Sequence, residues 1–124
     1  MSVRKPYSDL RLLIIDDDPQ LSDFMRAGLK THFSLIMVAS GEAQARNLMN
    51  GFFVFHAIIC DYHLTDGNGM SLYRWLRQDQ DRQVPFVLIS GHFEPDPNED
   101  PAFGFLAKPF HLSDLLGVLY KLPI

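Results

Sequence analysis

Five short apolar runs recur along the chain, and most of them are separated by segments with helical spacing. The runs are Arg11–Ile15, Phe33–Val38, Ala57–Asp61, Pro85–Ser90 and Phe103–Ala107. Runs of this length that are apolar on both faces are typical of buried strands in a parallel sheet. Strands that alternate with helices predict an α/β fold, a doubly wound five-stranded parallel sheet with helices on both of its faces.

The helical pattern is present in four segments and is broken in a fifth. The four segments are Leu21–Leu29, Ala43–Met49, Leu72–Leu76 and Leu112–Leu119. Between the fourth and fifth strands, His92–Pro101 contains Pro95, Pro97 and Pro101. An interior proline removes a backbone donor and clashes with the preceding helical turn. The fourth helix of the fold is therefore predicted to be short or missing.

Length and composition limit the chain to one small domain. It has 124 residues and a formal net charge of -4, and its basic residues do not cluster. We expect an N-terminal extension over residues 1–9 and a single domain over residues 10–124. Nothing in the pattern indicates binding to nucleic acid or to a membrane. The lone cysteine, Cys60, excludes an internal disulfide and predicts a reducing, cytoplasmic setting.

Polar residues follow four of the predicted strands. Asp16 and Asp17 follow the first, Asp61 ends the third, Ser90 ends the fourth and Lys108 follows the fifth. In an open parallel sheet, ligands bind at the carboxyl ends of the strands, so these side chains should meet at one crevice. Three neighbouring carboxylates repel one another unless a cation lies among them, and Mg²⁺ prefers oxygen ligands. The chemistry predicted is phosphoryl transfer to an aspartate.

The motifs that carry these residues resemble those of the response-regulator receiver domain of two-component signalling. They are the acidic pair after Leu13–Ile15, the turn Asp61–Gly69, Ser90 at its strand end, and Phe105–Phe110 around Lys108. The resemblance extends from Leu12 to Tyr120. It implies a flavodoxin-like sheet with strand order 2-1-3-4-5, and a signalling module rather than an enzyme that acts on other substrates.

The resemblance also implies a partner, a cofactor and their ligands. Asp61 is expected to accept phosphate from a phosphohistidine of a sensor histidine kinase or a histidine phosphotransfer protein. Mg²⁺ is expected on Asp17, Asp61 and the backbone carbonyl of His63, with Asp16 acting mainly through a water. The signal is expected to pass to a downstream protein target or to an output domain outside this chain.

Three further positions receive roles from the resemblance. Ser90 and Lys108 are expected to contact the phosphoryl group, and Phe105 is expected to be the aromatic switch residue. The bond between Lys108 and Pro109 is expected to be cis, a state that is accessible mainly before proline.

The chain departs from the family pattern in places. Thr65 stands where the family usually has proline, and the interval from Ser90 to Lys108 is shorter than usual. In the family, the fourth helix helps to form the output and dimer face, so a short or missing one changes the expected dimer mode. His63 and His92 occupy positions that in the family tune hydrolysis of the acyl phosphate. The remaining histidines, His32, His56 and His111, lack metal-ligand spacing and are expected at the surface.

Two alternatives remain at the level of sequence. A haloacid-dehalogenase-like phosphatase would use Asp16 as its nucleophile in the run Asp16–Asp18, with Ser90 and Lys108 in supporting positions. That family needs a further acidic pair after the lysine, whereas only Asp114 follows Lys108. The other alternative is a receiver-like interaction module that works without phosphorylation.

Overall fold

The computed structural model of the protein describes residues 9–91 and 99–124. Its main sheet has five strands: β1 (Arg11–Ile15), β2 (Leu35–Ala39), β3 (Ala57–Asp61), β4 (Phe86–Ser90) and β5 (Phe103–Ala107). All neighbouring strands are parallel, in the order β2-β1-β3-β4-β5, which confirms the predicted sheet. Strands β3 and β4 are buried along their whole length, because they lie inside the sheet with helices over both faces.

Among the described residues, four α-helices cover the sheet. They are α1 (Pro19–Leu29), α2 (Glu42–Met49), α3 (Gly69–Arg74) and α4 (Leu112–Tyr120). Leu12 and Ile14 of β1 point into the apolar layer under α1 and α4, whereas Leu13 and Ile15 point into the layer under α2 and α3. This alternation follows from the period of two in a strand, and it explains why β1 is apolar at every position. No helix in the described ranges is long and apolar enough to cross a membrane.

Two helices begin directly beside the carboxyl edge of the sheet, each with a polar cap. The Asp18 carboxylate accepts a hydrogen bond from the Gln20 amide at 3.0 Å, and Pro19 occupies the first helical position of α1. The Asn68 side chain accepts from the Ser71 amide at 2.8 Å and caps α3. These caps turn the chain away from the sheet immediately after β1 and shortly after β3.

Helix α3 does not end as the sequence pattern predicts. It continues into a π-helical turn over Trp75–Asp79, in which the Gln80 amide donates to the Trp75 carbonyl at 3.0 Å. Tyr73 and Trp75 are both buried, and the Tyr73 ring packs against Phe86 and Phe103.

The expectation of a short or missing fourth helix falls mainly on residues 92–98, which lie outside the described residues. Where the chain is described again, residues 99–102 form no helix before β5. Asp100 ties this segment to the π-helical turn: its carboxylate accepts from the Arg77 side chain at 2.8 Å and from the Tyr73 hydroxyl. Residues 1–8 of the expected N-terminal extension also lie outside the described residues.

Of the three histidines expected at the surface, His111 is exposed and His32 is half-buried. His56 is half-buried as well. Its Nδ1 accepts a hydrogen bond from the Arg11 amide at 2.9 Å, and the His56 amide donates to the Arg11 carbonyl. Burial and the nearby Arg11 charge lower the pKa of His56. These two hydrogen bonds between His56 and Arg11 therefore extend the β1–β3 pairing at the amino end of the sheet.

Candidate functional site

Three aspartates meet at the carboxyl edge of the sheet. The Asp16 amide donates to the carbonyl of Ala39 at 2.9 Å, so the β1–β2 ladder continues one residue past β1 and holds Asp16 in place. Asp61 is the last residue of β3. One carboxylate oxygen from each of Asp16, Asp17 and Asp61 lies within 4.8 Å of the others. Asp16 and Asp61 are buried, whereas Asp17 is exposed.

Lys108 brings a positive charge to this cluster. Its Nζ lies 2.8 Å from Oδ2 of Asp61. The backbone sets this position, because the Lys108 amide donates to the Ser90 carbonyl at 2.9 Å and extends the β4–β5 ladder past Ala107. Ser90 is buried at the end of β4, and the peptide bond between Lys108 and Pro109 is cis. The ends of β1, β3, β4 and β5 thus converge on Asp61.

The Asp16 carboxylate lies in surroundings that disfavour its negative charge. Its Oδ1 accepts from the Asp18 amide at 2.9 Å. Its Oδ2 is the one buried side-chain nitrogen or oxygen among residues 9–91 and 99–124 that lacks a hydrogen-bond partner. Burial, together with the negative charge of Asp61, raises the pKa of Asp16 to about 6, against the opposing effects of the Asp18 amide and Lys108.

This set of donors suits a hard divalent cation. A buried carboxylate oxygen without a partner is costly, and a cation that takes oxygen ligands satisfies it. Three carboxylates beside one lysine also leave a net negative charge for such a cation to neutralise. The cluster is therefore fitted to hold an ion of the Mg²⁺ type.

The loop after Asp61 folds closely over it. The Gly69 amide donates to the Tyr62 carbonyl at 2.8 Å, and the His63 amide lies 3.4 Å from Oδ1 of Asp61. A short antiparallel hairpin pairs His63–Leu64 with Gly67–Asn68. A Cβ atom on Gly69 would lie only 2.8 Å from the Asp61 carbonyl oxygen, so a side chain there would push the loop off β3.

Asp66 secures the same loop to α2, a role that the sequence reasoning missed. Its carboxylate accepts from the amides of Glu42 and Ala43 at 2.7 and 3.0 Å, and these two hydrogen bonds lower the pKa of Asp66. Asp66 thereby caps a helix whose own cap position, Gly41, has no side chain to do so. A glycine at the start of a predicted helix was the available signal, although it does not identify the partner.

Phe105 lies apart from the charged cluster. It stands opposite Leu88 in the β4–β5 register and is half-buried against the apolar layer under α2 and α3. The backbone amide of His63 lies near the Asp61 carboxylate, and His63 as a whole is exposed to solvent. Cys60, directly before Asp61, is fully buried, and burial raises its thiol pKa well above the ordinary value.

Comparison with known proteins gives one family and several relatives. The family model for the response regulator receiver domain matches residues 12–120. The hydrogenase transcriptional regulatory protein HoxA of Bradyrhizobium diazoefficiens is 26% identical over 110 residues, covering 85% of this chain and 22% of that protein. The C4-dicarboxylate transport transcriptional regulatory protein DctD of Pseudomonas aeruginosa is 30% identical over 126 residues, covering 94% and 26%. The chain thus spans about a quarter of the length of these curated relatives.

Solved structures show the same fold. The chemotaxis protein CheY4 of Vibrio cholerae superposes with a TM-score of 0.79 at 19% identity, over 93% of this chain and 99% of that one. The receiver domain of NtrX from Brucella abortus superposes with a TM-score of 0.72 at 22% identity, over 89% and 95%. At these identities the likeness concerns the fold.

Proposed function

The chain belongs to the response regulator receiver domain family of two-component signalling, and we propose that it takes a phosphoryl group onto Asp61. The donor is a phosphohistidine of a sensor histidine kinase or a histidine phosphotransfer protein. The observation that carries this proposal is the 2.8 Å ion pair between Lys108 and Asp61, set beside Asp16 and Asp17 at the carboxyl edge of the sheet. A carboxylate held next to a fixed positive charge is placed to receive an anionic group.

The proposed step is a displacement at phosphorus. A carboxylate oxygen of Asp61 forms a bond to the phosphorus atom, the phosphorus–nitrogen bond of the phosphohistidine breaks, and its electron pair leaves with the imidazole nitrogen. The product is an acyl phosphate on Asp61. The Lys108 ammonium group contacts one phosphoryl oxygen and the Ser90 hydroxyl contacts another, which positions the group and offsets its charge.

Magnesium is the proposed cofactor. Asp17, Asp61 and the His63 carbonyl would hold it directly, and Asp16 would act mainly through a water. When bound, Mg²⁺ supplies positive charge that neutralises the transferring phosphoryl group. The support is the unpartnered Oδ2 of Asp16 and the close approach of three carboxylates.

The proposed output is a change of protein contacts. Ser90 follows the phosphoryl group, and Phe105 then moves from its half-buried position toward the interior. The recipient is a downstream protein or an output domain, in keeping with the names of the two relatives, HoxA and DctD, which are transcriptional regulatory proteins.

A titration with Mg²⁺ and beryllofluoride, followed by amide chemical shifts, tests this proposal. We expect Mg²⁺ alone to shift the amides around Asp16 and Asp61, and beryllofluoride to extend the shifts to Ser90 and Lys108. Asp61→Asn should lose the beryllofluoride response while keeping the dispersed spectrum of a folded protein. Absence of both responses in the parent chain would instead support an interaction module that works without phosphorylation.

Two contacts argue against Asp16 as the nucleophile of a phosphatase. Its Oδ1 is occupied by the Asp18 amide, and the Lys108 ammonium group pairs with Asp61 instead. The proposed role of Asp61 also gives a purpose to the loop up to Gly69, which the phosphatase reading leaves without one.

A further inference from the structure

The loop between α2 and β3 exposes three consecutive large apolar side chains. Phe52 is 93% exposed, Val54 is 67% exposed, and Phe53 lies between them with its ring edge-on to that of Phe52. The loop precedes the amino end of β3, whereas Asp61 ends that strand, so the two features lie at opposite edges of the sheet. A contiguous apolar patch on a water-soluble surface marks a site of interaction.

A cavity of about 370 Å³ opens beside the same loop. Its lining is mainly apolar and comes from the end of α2, from β3 and the loop before it, and from the segment before β4. These residues are Met49, Phe53, Val54, Phe55, Ile58 and Val84. Gly51 also lines the cavity, whereas Phe52, which lies between Gly51 and Phe53 in the chain, does not. The protein therefore presents a protruding aromatic ring next to an unfilled apolar cavity.

Two arginines fix the backbone on either side of this loop by hydrogen bonds. Arg82, which lines the cavity, donates to the Met49 carbonyl at 2.7 Å, and the Arg11 side chain donates to the Val54 carbonyl at 2.7 Å. These bonds tie the loop to β1 and to the segment before β4. The site is thus organised before any partner arrives, which lowers the entropy lost on binding.

We propose that this end of the protein docks onto the same end of a second copy, with Phe52 of each copy inserted into the cavity of the other. A two-fold interface requires a self-complementary surface, and a ring beside a cavity that can take a ring has that property. Charges of both signs also lie close to the cavity, because Arg82 lines it and exposed Asp81 directly precedes Arg82 in the chain. A rim of mixed sign can meet its own copy, whereas a rim of one sign would repel it.

The size of the contact predicts a weak dimer. An aromatic side chain buries about 150–250 Å². Two insertions and the walls that they cover bury less than the roughly 1,200 Å² of a standard stable interface. We expect a dissociation constant of roughly 0.1 to 1 mM, typical of an association that matters when copies are held together.

Sedimentation equilibrium and amide shifts on dilution test the proposal with the full 124-residue chain. No Mg²⁺ or phosphodonor is added, so the result does not depend on the proposed phosphorylation. We expect concentration-dependent shifts confined to residues 49–55 and 82–84. Phe52→Ser should weaken self-association by at least about tenfold, as expected for the central ring of an interface. Phe24→Ser, which removes an exposed ring from α1 at the other face, should not.

Ionic strength gives a second readout. Because each copy carries a formal net charge of -4, added salt should screen the mutual repulsion and strengthen an apolar contact. Three results would each overturn the proposal: a chain that stays monomeric up to about 1 mM, dilution shifts located at α4 and β5, or equal self-association in the parent and Phe52→Ser. The first, combined with Phe52-dependent binding to a different protein, would assign the patch to that partner.

Discussion

Asp16 is held in surroundings that favour its neutral form. Its pKa in the folded protein is about 6, above the ordinary value of 3.8, mainly because of burial. A raised carboxyl pKa contributes stability that is fully present below pH 3.8 and is lost as the pH rises through about 6. At neutral pH without a cation, the Asp16 carboxylate therefore opposes folding.

Replacing Asp16 by asparagine should stabilise the metal-free protein. The amide keeps an acceptor for the Asp18 amide and removes the buried charge. We expect the free energy of unfolding at pH 7 in a chelator to rise by up to about 3 kcal/mol, the equivalent of about two pKa units. Urea unfolding at pH 7 and pH 5 would measure this gain, which should shrink at the lower pH. Asp17→Asn, at an exposed position, is the control, and a less stable Asp16→Asn protein at pH 7 would contradict the assignment.

Lys108→Ala separates accepting the phosphoryl group from responding to it. The variant removes the cation 2.8 Å from Asp61 but leaves the carboxylate cluster intact. We expect phosphorylation by a small phosphodonor to persist, while the amide shifts that beryllofluoride induces around Ser90 and Phe105 become smaller. Lys121→Ala, at an exposed position in the tail, controls for loss of charge. A full set of shifts in Lys108→Ala would mean that the lysine does not transmit the change.

At the scale of residues, the sequence was most informative where chemistry depends on strand ends. Asp16, Asp61 and Lys108 were grouped because parallel strands bring their carboxyl ends together. The capping role of Asp66 was not predicted, because its contact with the Glu42 amide joins a loop to the start of α2, 24 positions away in the chain. A Cβ atom on Gly41 would lie 2.7 Å from Oδ1 of Asp66, so the contact requires a close approach that no local pattern encodes.

At the scale of elements, the Arg77–Asp100 pair holds the chain between β4 and β5 against the π-helical turn. The side chains are only 9% and 12% exposed. Burial acts to raise the pKa of Asp100, but hydrogen bonds from Tyr73, Arg77 and the Ala102 amide outweigh it, so the pKa is lowered. Burial and the hydrogen bond to the Asp100 carboxylate raise the pKa of Tyr73 to about 12, against the opposing effect of Arg77. The stability contributed by a lowered carboxyl pKa is present above pH 3.8 and is lost as the pH falls further.

Asp100→Asn should therefore destabilise the protein. It leaves the Arg77 guanidinium group buried without its counter-ion, and we expect a loss of about 3 kcal/mol in the free energy of unfolding. Glu99→Gln is the matched control, since Glu99 is exposed and should change stability by less than about 0.5 kcal/mol. Urea unfolding at pH 7 measures both, and equal stability of the two variants would show that the pair does not anchor this segment.

Two helical glycines should respond in opposite directions to alanine. A Cβ atom on Gly117 of α4 meets no atom within 4 Å, whereas one on Gly28 of α1 would lie 2.5 Å from Cδ1 of Leu112. We expect Gly117→Ala to stabilise the protein by roughly 0.5–1 kcal/mol, because alanine favours a helix. Gly28→Ala should destabilise it by roughly 1–3 kcal/mol through overpacking. Thermal and urea unfolding would measure both, and a destabilised Gly117→Ala protein would indicate that α4 is packed more closely than the structure shows.

The elements differ in how well local patterns predict them. The bounds of β1, β3 and β5 agree with the predicted runs, since each run is apolar and ends at a polar or turn residue. Strand β2 begins two residues later than predicted, because Phe33 is buried before the strand starts. The π-helical turn after α3 was not predicted, since it depends on how Tyr73 and Trp75 pack against distant parts of the chain.

At the scale of the whole molecule, the parallel sheet divides the protein into two ends with different chemistry. The carboxyl end gathers charge: the three aspartates and Lys108. The amino end carries the exposed Phe52 beside an apolar cavity. A binding event at the charged end can therefore leave the apolar amino end accessible.

The most direct test of the central claim is to identify the residue that carries the phosphoryl group. The chain is incubated with Mg²⁺ and a small phosphodonor, the acyl phosphate is trapped by borohydride reduction to the alcohol, and the modified residue is located by peptide mass spectrometry. We expect modification at Asp61, with none in Asp61→Asn. Modification at Asp16, or incorporation at the normal rate in Asp61→Asn, would contradict it.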